Sequence, residues 1–162
     1  MTHVVLSLGS NIEREKNIRF AVSELKKKFG QLEISPVYET SSVGFDGPPF
    51  FNLVVGFYCS DSVQHVRDRL RRIESVAGRV RGKKSFDSRV LDIDILLYGN
   101  RDLREQGYNI PRDEIERFAY VLKPLSDLYP EIVYPITGQT VTHMWQQFEL
   151  KDQTIFIAEF PL

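Results

Sequence analysis

The chain of 162 residues has one cysteine, Cys59. Intramolecular disulfides are therefore excluded, and a reducing compartment fits. His3, His65 and His143 stand far apart and form no His/Cys metal-binding pattern. Neither sign of charge dominates: the formal net charge is −1, so no global field draws the protein onto nucleic acid or a membrane. No apolar run reaches the ~18 residues of a membrane span. The start, Met1-Thr2-His3, lacks a basic segment and a cleavage site, so no signal peptide is expected and the cytoplasm is the expected setting. No G-x-G-x-x-G or G-x-S-x-G occurs. Gly82-Lys83-Lys84-Ser85 lacks the earlier glycine of a P-loop and follows a helical pattern instead of opening one. Internal repeats and low-complexity segments are absent.

What is present reads as one globular domain over residues 1–162, long enough to bury a core without staples. Residues 3–8 form a short apolar strand, and Gly9-Ser10-Asn11 breaks it, with Ser10 or Asn11 expected to cap a helix. Ile18, Ala21, Val22, Leu25 and Phe29 recur at helical spacing, and Gly30 ends that helix. Leu32, Ile34 and Tyr38 predict a second strand, in which Pro36 demands an edge position or a bulge. Residues 40–49 are a Gly- and Pro-rich loop. Phe50–Cys59 is a long third strand, and Asn52 stands out in it as an amide among aromatics that needs partners at both ends. Ser60 or Asp61 is expected to cap the next helix, in which Val63, Val66, Leu70, Ile73 and Ala77 mark the apolar face and which Gly78 closes. After a fourth strand come short helices at residues 113–118 and 124–128, a last helix marked by Val141, Met144, Trp145 and Phe148, and a final strand at 154–158. The order strand, helix, strand, strand, helix, strand predicts an α+β, ferredoxin-like βαββαβ core with an antiparallel sheet, both helices on one face and the C-terminal elements on the other. A ferredoxin-like module can bind RNA, but Phe50-Phe51-Asn52-Leu53-Val54 lacks the basic-Gly-aromatic signature, so no nucleic-acid partner is expected.

The chemistry concentrates in residues 79–98. Arg79, Arg81 and Arg89 precede a strand in which Leu91, Ile93, Ile95 and Leu97 share one face and Asp92 and Asp94 the other, with Leu96 and Tyr98 beyond them. Carboxylates in such an apolar run need a counter-charge or a metal. Mg²⁺ suits them, because it takes one or two carboxylates plus substrate phosphate oxygens. Arginine grips phosphate in a bidentate fork. Arginines beside a D-x-D strand therefore point to a magnesium–nucleotide site, the alternative being a half-wet strand whose aspartates pair with nearby arginines.

The ordered pieces Gly9-Ser10-Asn11, Tyr38-x-Thr40, Val43-Gly44, Phe50-x-Asn52, Ile73-Glu74, Gly78-Arg79-x-Arg81, Arg89-x-Leu91-Asp92-Ile93-Asp94-Ile95, Pro111 and Val121-Leu122-x-Pro124-Leu125 extend over nearly the whole chain. In that order the sequence resembles the 6-hydroxymethyl-7,8-dihydropterin pyrophosphokinases of folate biosynthesis. The resemblance implies a three-layer α/β/α fold and transfer of a pyrophosphoryl group from ATP, as co-substrate, to the pterin hydroxymethyl, leaving AMP. It implies that Asp92 and Asp94 hold two Mg²⁺ ions and that Arg79 and Arg89 act with them in catalysis. It also implies that Arg79, Arg81 and Arg89 grip the phosphates with Glu74 near the nucleotide. Phe50 and Tyr120 would stack on the pterin, and Asn52, Thr40 and Val43 would pair with its edge.

The sequence departs from the family pattern on the nucleotide side. Phe86-Asp87-Ser88-Arg89 replaces Trp-Gly-Pro-Arg, Pro111-Arg112 replaces Pro-His, and an arginine position falls on Phe118. Arg112 and Arg117 are the candidate substitutes for the lost ATP contacts. The alternative expectation is a non-catalytic or altered-specificity relative that binds pterin or nucleotide. With small molecules as partners, the chain is expected to be a monomer.

Overall fold

The structure, a computed structural model, describes residues 1–41, 46–78 and 90–162. The first strand, β1, spans Thr2–Ser10 and runs two residues further at its C-terminal end than its apolar segment. Helix α1, Arg14–Phe29, follows. Neither Ser10 nor Asn11 caps it, because both serve loops instead: the Ser10 hydroxyl donates to the Val90 carbonyl and Asn11 Nδ2 to the Pro48 carbonyl at 3.0 Å. The residue before α1 is Glu13, with φ 41° and no side-chain cap. Gly30 ends the helix as expected, its φ of 81° being open to glycine at no steric cost.

The second strand is split, as Pro36 requires. β2 is Glu33–Ile34 and β3 is Tyr38–Thr40. Ser35 keeps the interrupted ladder closed: its N–H donates to Val54 O at 2.9 Å and its hydroxyl accepts from Val54 N at 2.8 Å. Strand β4 is Phe50–Cys59. Helix α2, Val63–Val76, is capped by Ser62, one residue later than expected, whose hydroxyl accepts from His65 N. β5 is Asp92–Tyr98 and ends at Gly99 with φ 58°. A single 3₁₀ turn, Arg104–Gln106, leads to the short helix α3, Glu114–Arg117. Helix α4 is Ala119–Leu128, five residues longer at its start than expected, so Pro124 is internal and forfeits the bond to the Tyr120 carbonyl. Helix α5, Val141–Gln147, is capped by Thr140, and β6, Ile155–Ile157, closes the fold.

The sheet order is β5-β1-β4-β3-β6, with β2 also on β4, and every pairing is antiparallel. This is the ferredoxin-like arrangement with β6 added beside β3. One core lies between the sheet and α1 and α2, built from residues such as Leu6, Leu8, Ile18, Leu25, Leu53, Phe57, Leu70 and Ile73. A second core lies on the opposite face, where Val5, Val54 and Leu96 meet Ile115, Val121, Leu122 and Leu125. Each face buries a separate helical layer, which gives the three-layer α/β/α stack.

The strict alternation read into β5 holds only as far as Leu96. Val5 pairs with Leu97 but Leu6 with Ile95, so Leu96 is an extra residue in the ladder. Beyond this bulge the faces exchange. Leu97 joins Leu96 in the second core, and Tyr98 turns into the first, where its hydroxyl donates to the Asp61 carbonyl at 2.7 Å. Asp92 and Asp94 precede the bulge and keep their shared face.

Candidate active site

Register assembles the site. Gly9 of β1 pairs with Asp92 on one side and Asn52 on the other, and Asn52 pairs in turn with Tyr38. Asp92, Gly9, Asn52 and Tyr38 thus form one row across the sheet. Glycine lets the Asn52 amide lie close over that row: a Cβ on Gly9 would lie 3.0 Å from Asn52 Oδ1 and 3.8 Å from the Phe50 ring.

On the β4 side, Asn52 is buried and its Nδ2 donates to Thr40 Oγ1 at 2.8 Å. That bond orients the amide and leaves its carbonyl oxygen toward Gly9. Phe50, two residues back on the same face, is half-buried and pairs with Thr40. Tyr120 lies in α4, which packs against β4, and its ring stacks on Phe118 with centroids 5.0 Å apart. The Tyr38 hydroxyl donates to Asp127 of α4, and Lys123 donates to the other oxygen of the same carboxylate at 2.8 Å. β3 is thereby tied to the helix that carries Tyr120.

On the β5 side the site is acidic. Glu74 of α2 is buried, and its Oε2 accepts from Ile93 N at 2.8 Å, which satisfies an outward-facing N–H of the edge strand. Asp94 has a side chain only 17% exposed. Burial first, then the neighbouring Asp92 charge, pushes its carboxyl up to about 7, with Arg112 opposing the rise and Glu114 and Glu74 adding to it. Arg112 lies 3.6 Å from Asp94 and its Nε donates to Glu114. Burial would lower the Arg112 pKa, but Asp94 and Glu114 more than offset that and raise it. Beside this cluster, along the β5 edge, opens a cleft of about 300 Å³ lined by Arg67, Leu70, Arg71, Tyr108, Asn109 and Arg112 among others.

Of the residues singled out in the sequence, the structure thus brings together Asp92, Asp94, Glu74 and Arg112 on one side of Gly9, and Asn52, Thr40 and Phe50 on the other. Arg117 instead pairs with Asp113 at 3.3 Å and lies over the Phe118 ring. Val43, Arg79, Arg81 and Arg89 lie outside the described residues. Glu114 and Asp127, the partner of Tyr38, were not singled out, because an acidic residue in a charged helical turn carries no distinguishing pattern. Among the described residues no group of three or more His, Cys, Asp or Glu side chains forms a metal cage. The donor set suits Mg²⁺ all the same: two carboxylates on one strand face, in a surplus of negative charge, leave the remaining coordination to phosphate and water oxygens.

Fold and site together define a ferredoxin-like α+β domain with a carboxylate cluster beside an arginine-lined cleft on one side of a sheet row and a buried amide on the other. Residues 5–130 match the model of the 7,8-dihydro-6-hydroxymethylpterin-pyrophosphokinase (HPPK) family. The chain is 31% identical over 153 residues to the 2-amino-4-hydroxy-6-hydroxymethyldihydropteridine pyrophosphokinase of Haemophilus influenzae, covering 91% of this chain and 94% of that protein. It is 30% identical over 138 residues to the protein of the same name from Aquifex aeolicus, covering 84% and 86%. It is 32% identical to the folic acid synthesis protein fol1 of Pneumocystis carinii, of which it spans only 20%. In three dimensions it resembles the Plasmodium falciparum HPPK-DHPS, with a TM-score of 0.69 at 14% identity over 91% of this chain and 43% of that one, a likeness of fold. The chain belongs to the 7,8-dihydro-6-hydroxymethylpterin-pyrophosphokinase family.

Proposed function

We infer that the chain carries out the reaction for which its family is named. It is an ATP-dependent pyrophosphokinase that transfers a pyrophosphoryl group to the hydroxymethyl of 6-hydroxymethyl-7,8-dihydropterin in folate synthesis. A bond forms between the hydroxymethyl oxygen and the β-phosphorus, the α–β bridge breaks, and AMP leaves. The observation that carries this reading is the row Asp92–Gly9–Asn52. A charge-binding group and an amide suited to a heterocycle edge flank one glycine in it.

The roles of individual residues follow from their chemistry. Asn52, fixed by Thr40, offers its carbonyl and its second N–H to the donor–acceptor edge of the pterin, with the backbone at Val43 completing the contact. Phe50 and Tyr120 stack on the flat ring. Asp92 and Asp94 would hold two Mg²⁺ ions, which would supply charge neutralisation on the triphosphate. The cleft beside Asp94 takes the nucleotide, and Glu74, bonded to Ile93 N, holds β5 in place. Arg79, Arg81 and Arg89, joined by Arg112, grip the phosphates, while Arg117 stays with Asp113. Transfer of this kind asks for positioning and electrostatic stabilisation, so no covalent nucleophile is required.

Residues 1–162 act as one domain, since both cores share the one sheet. The protein works as a monomer in the cytoplasm. Its partners are ATP and the pterin; a net charge of −1 argues against nucleic acid. Among the described residues no helix is long and apolar enough to cross a membrane.

Replacement of the metal-binding pair tests the reading. Asp92→Ala and Asp94→Ala each abolish turnover while circular dichroism and melting show an intact fold. A variant lacking both carboxylates that turned over at the normal rate would overturn the assignment.

A further inference from the structure

Arg112 is held unequally by its two carboxylates. Its Nε donates to Glu114 Oε1, a hydrogen bond to a residue two places along the chain. Its Nη2 lies 3.6 Å from Asp94 Oδ2, close enough for an ion pair but too long for a hydrogen bond. Its backbone N–H donates to Leu96 O at 3.0 Å, which fixes the stem against β5. The side chain is 27% exposed and lines the cleft. The guanidinium therefore has an anchored edge, toward Glu114, and a loosely engaged edge, between Asp94 and the cleft. Among the described residues, Asp92, Glu74 and Glu114 are the carboxylates whose charge acts most on Asp94.

A divalent cation and a guanidinium compete for this place. Mg²⁺ requires a carboxylate oxygen at roughly 2.1 Å and repels a neighbouring positive charge. A triphosphate in the cleft brings new anionic oxygens, for which a planar guanidinium is well suited. We propose that Arg112 is an exchangeable counter-ion: it neutralises Asp94 in the ligand-free protein and turns about its Glu114 contact to the nucleotide phosphates when a divalent cation takes Asp94. This rests on the metal–nucleotide reading given above. It makes cation and nucleotide bind as a pair. The cation alone binds poorly because it must displace a partner that has nowhere to go. Once phosphate is present, the displaced guanidinium has a better partner.

The test is Mn²⁺ titration followed by the electron paramagnetic resonance of the free ion, at pH 8 and constant ionic strength. It is run with and without α,β-methylene-ATP, which blocks transfer. Arg112→Gln and Arg112→Met both remove the charge, and the second keeps the apolar bulk of the stem. Without nucleotide, both variants bind Mn²⁺ about tenfold more tightly than the wild type, within the usual range of coupling between sites. With the analogue, wild-type Mn²⁺ affinity rises at least tenfold, roughly the coupling expected between linked sites, and the variants gain much less. Where a variant is less stable, Mn²⁺ raises its melting temperature more than that of the wild type. Variants that bind Mn²⁺ alone no more tightly than the wild type, or that gain equally from the analogue, overturn the exchange and leave the metal–nucleotide reading standing. A wild type that binds neither Mn²⁺ nor the Mn²⁺–analogue complex overturns both.

Discussion

Asp92 and Asn52 pair with the same residue, Gly9, from opposite sides. The carboxylate and the amide are thus held at a two-strand separation by ladder hydrogen bonds, with no side chain between them. Strand spacing is about 4.8 Å, so the strand positions that carry the two groups lie roughly 10 Å apart along the row. Gly9→Ala is therefore a sensitive variant. Its Cβ would press on Asn52 Oδ1 at 3.0 Å and force the amide to shift by a few tenths of an ångström. Steady-state kinetics with each substrate varied should show the KM for pterin raised roughly tenfold, since small misplacements at a reacting site are costly, and the KM for ATP changed much less.

Asn52→Ala removes the amide and leaves the Thr40 hydroxyl without its donor. Loss of a buried polar contact costs about 1–3 kcal/mol, so pterin affinity by calorimetry should fall on the order of 10–100-fold. Thr40→Val, which leaves the amide present but unfixed, should give a smaller loss in the same direction.

The ligand-free protein should carry a pH signature of Asp94. Its folded pKa of about 7 stands above the ordinary 3.8, so between about 4 and 7 the folded state retains a proton that the unfolded chain has lost. Stability from this group is therefore full at the acidic end and is lost as pH rises through 7. Asp94→Asn removes that slope. In urea unfolding without metal, the variant should match the wild type near pH 3.5 and exceed it at pH 7.5. A variant less stable than the wild type at pH 7.5 would count against the buried, acidic setting.

Gly56 provides a control at the other end of the sheet. A Cβ there would fall 1.8 Å from Tyr129 Oη, in a ring that packs edge-on to His3 and donates to Glu33 at 2.9 Å. Gly56→Ala should cost about 1–3 kcal/mol, as overpacking does, visible as a melting temperature lower by several degrees. Both KM values should stay at wild type.

Much of this arrangement was legible in the residues. β4 runs Phe50–Cys59 as read, because ten residues of alternating bulk between a Pro-rich loop and Ser60 leave little freedom. Asp92 and Asp94 share a face because strand periodicity is two. The β5 bulge was hidden, since Ile95, Leu96 and Leu97 are all apolar and no polar residue marks the change of face. Ser10 and Asn11 carry the chemistry of helix caps, but long-range contacts to Val90 and Pro48 claim them. Pro124 suits a first helical turn so well that it masked a helix start at Ala119. In the site, Glu74 and Arg112 were found but not their partners. Which carboxylate an arginine meets depends on tertiary placement, and Glu114 looks like any other surface acid until α3 is docked.

AMP production from ATP with Mg²⁺, measured with and without 6-hydroxymethyl-7,8-dihydropterin, decides whether the protein is a pyrophosphokinase. A pyrophosphokinase forms AMP only when the pterin is present, in step with the pterin diphosphate. AMP formed equally without the pterin, or no AMP from a protein that binds the pterin by calorimetry, would contradict that activity.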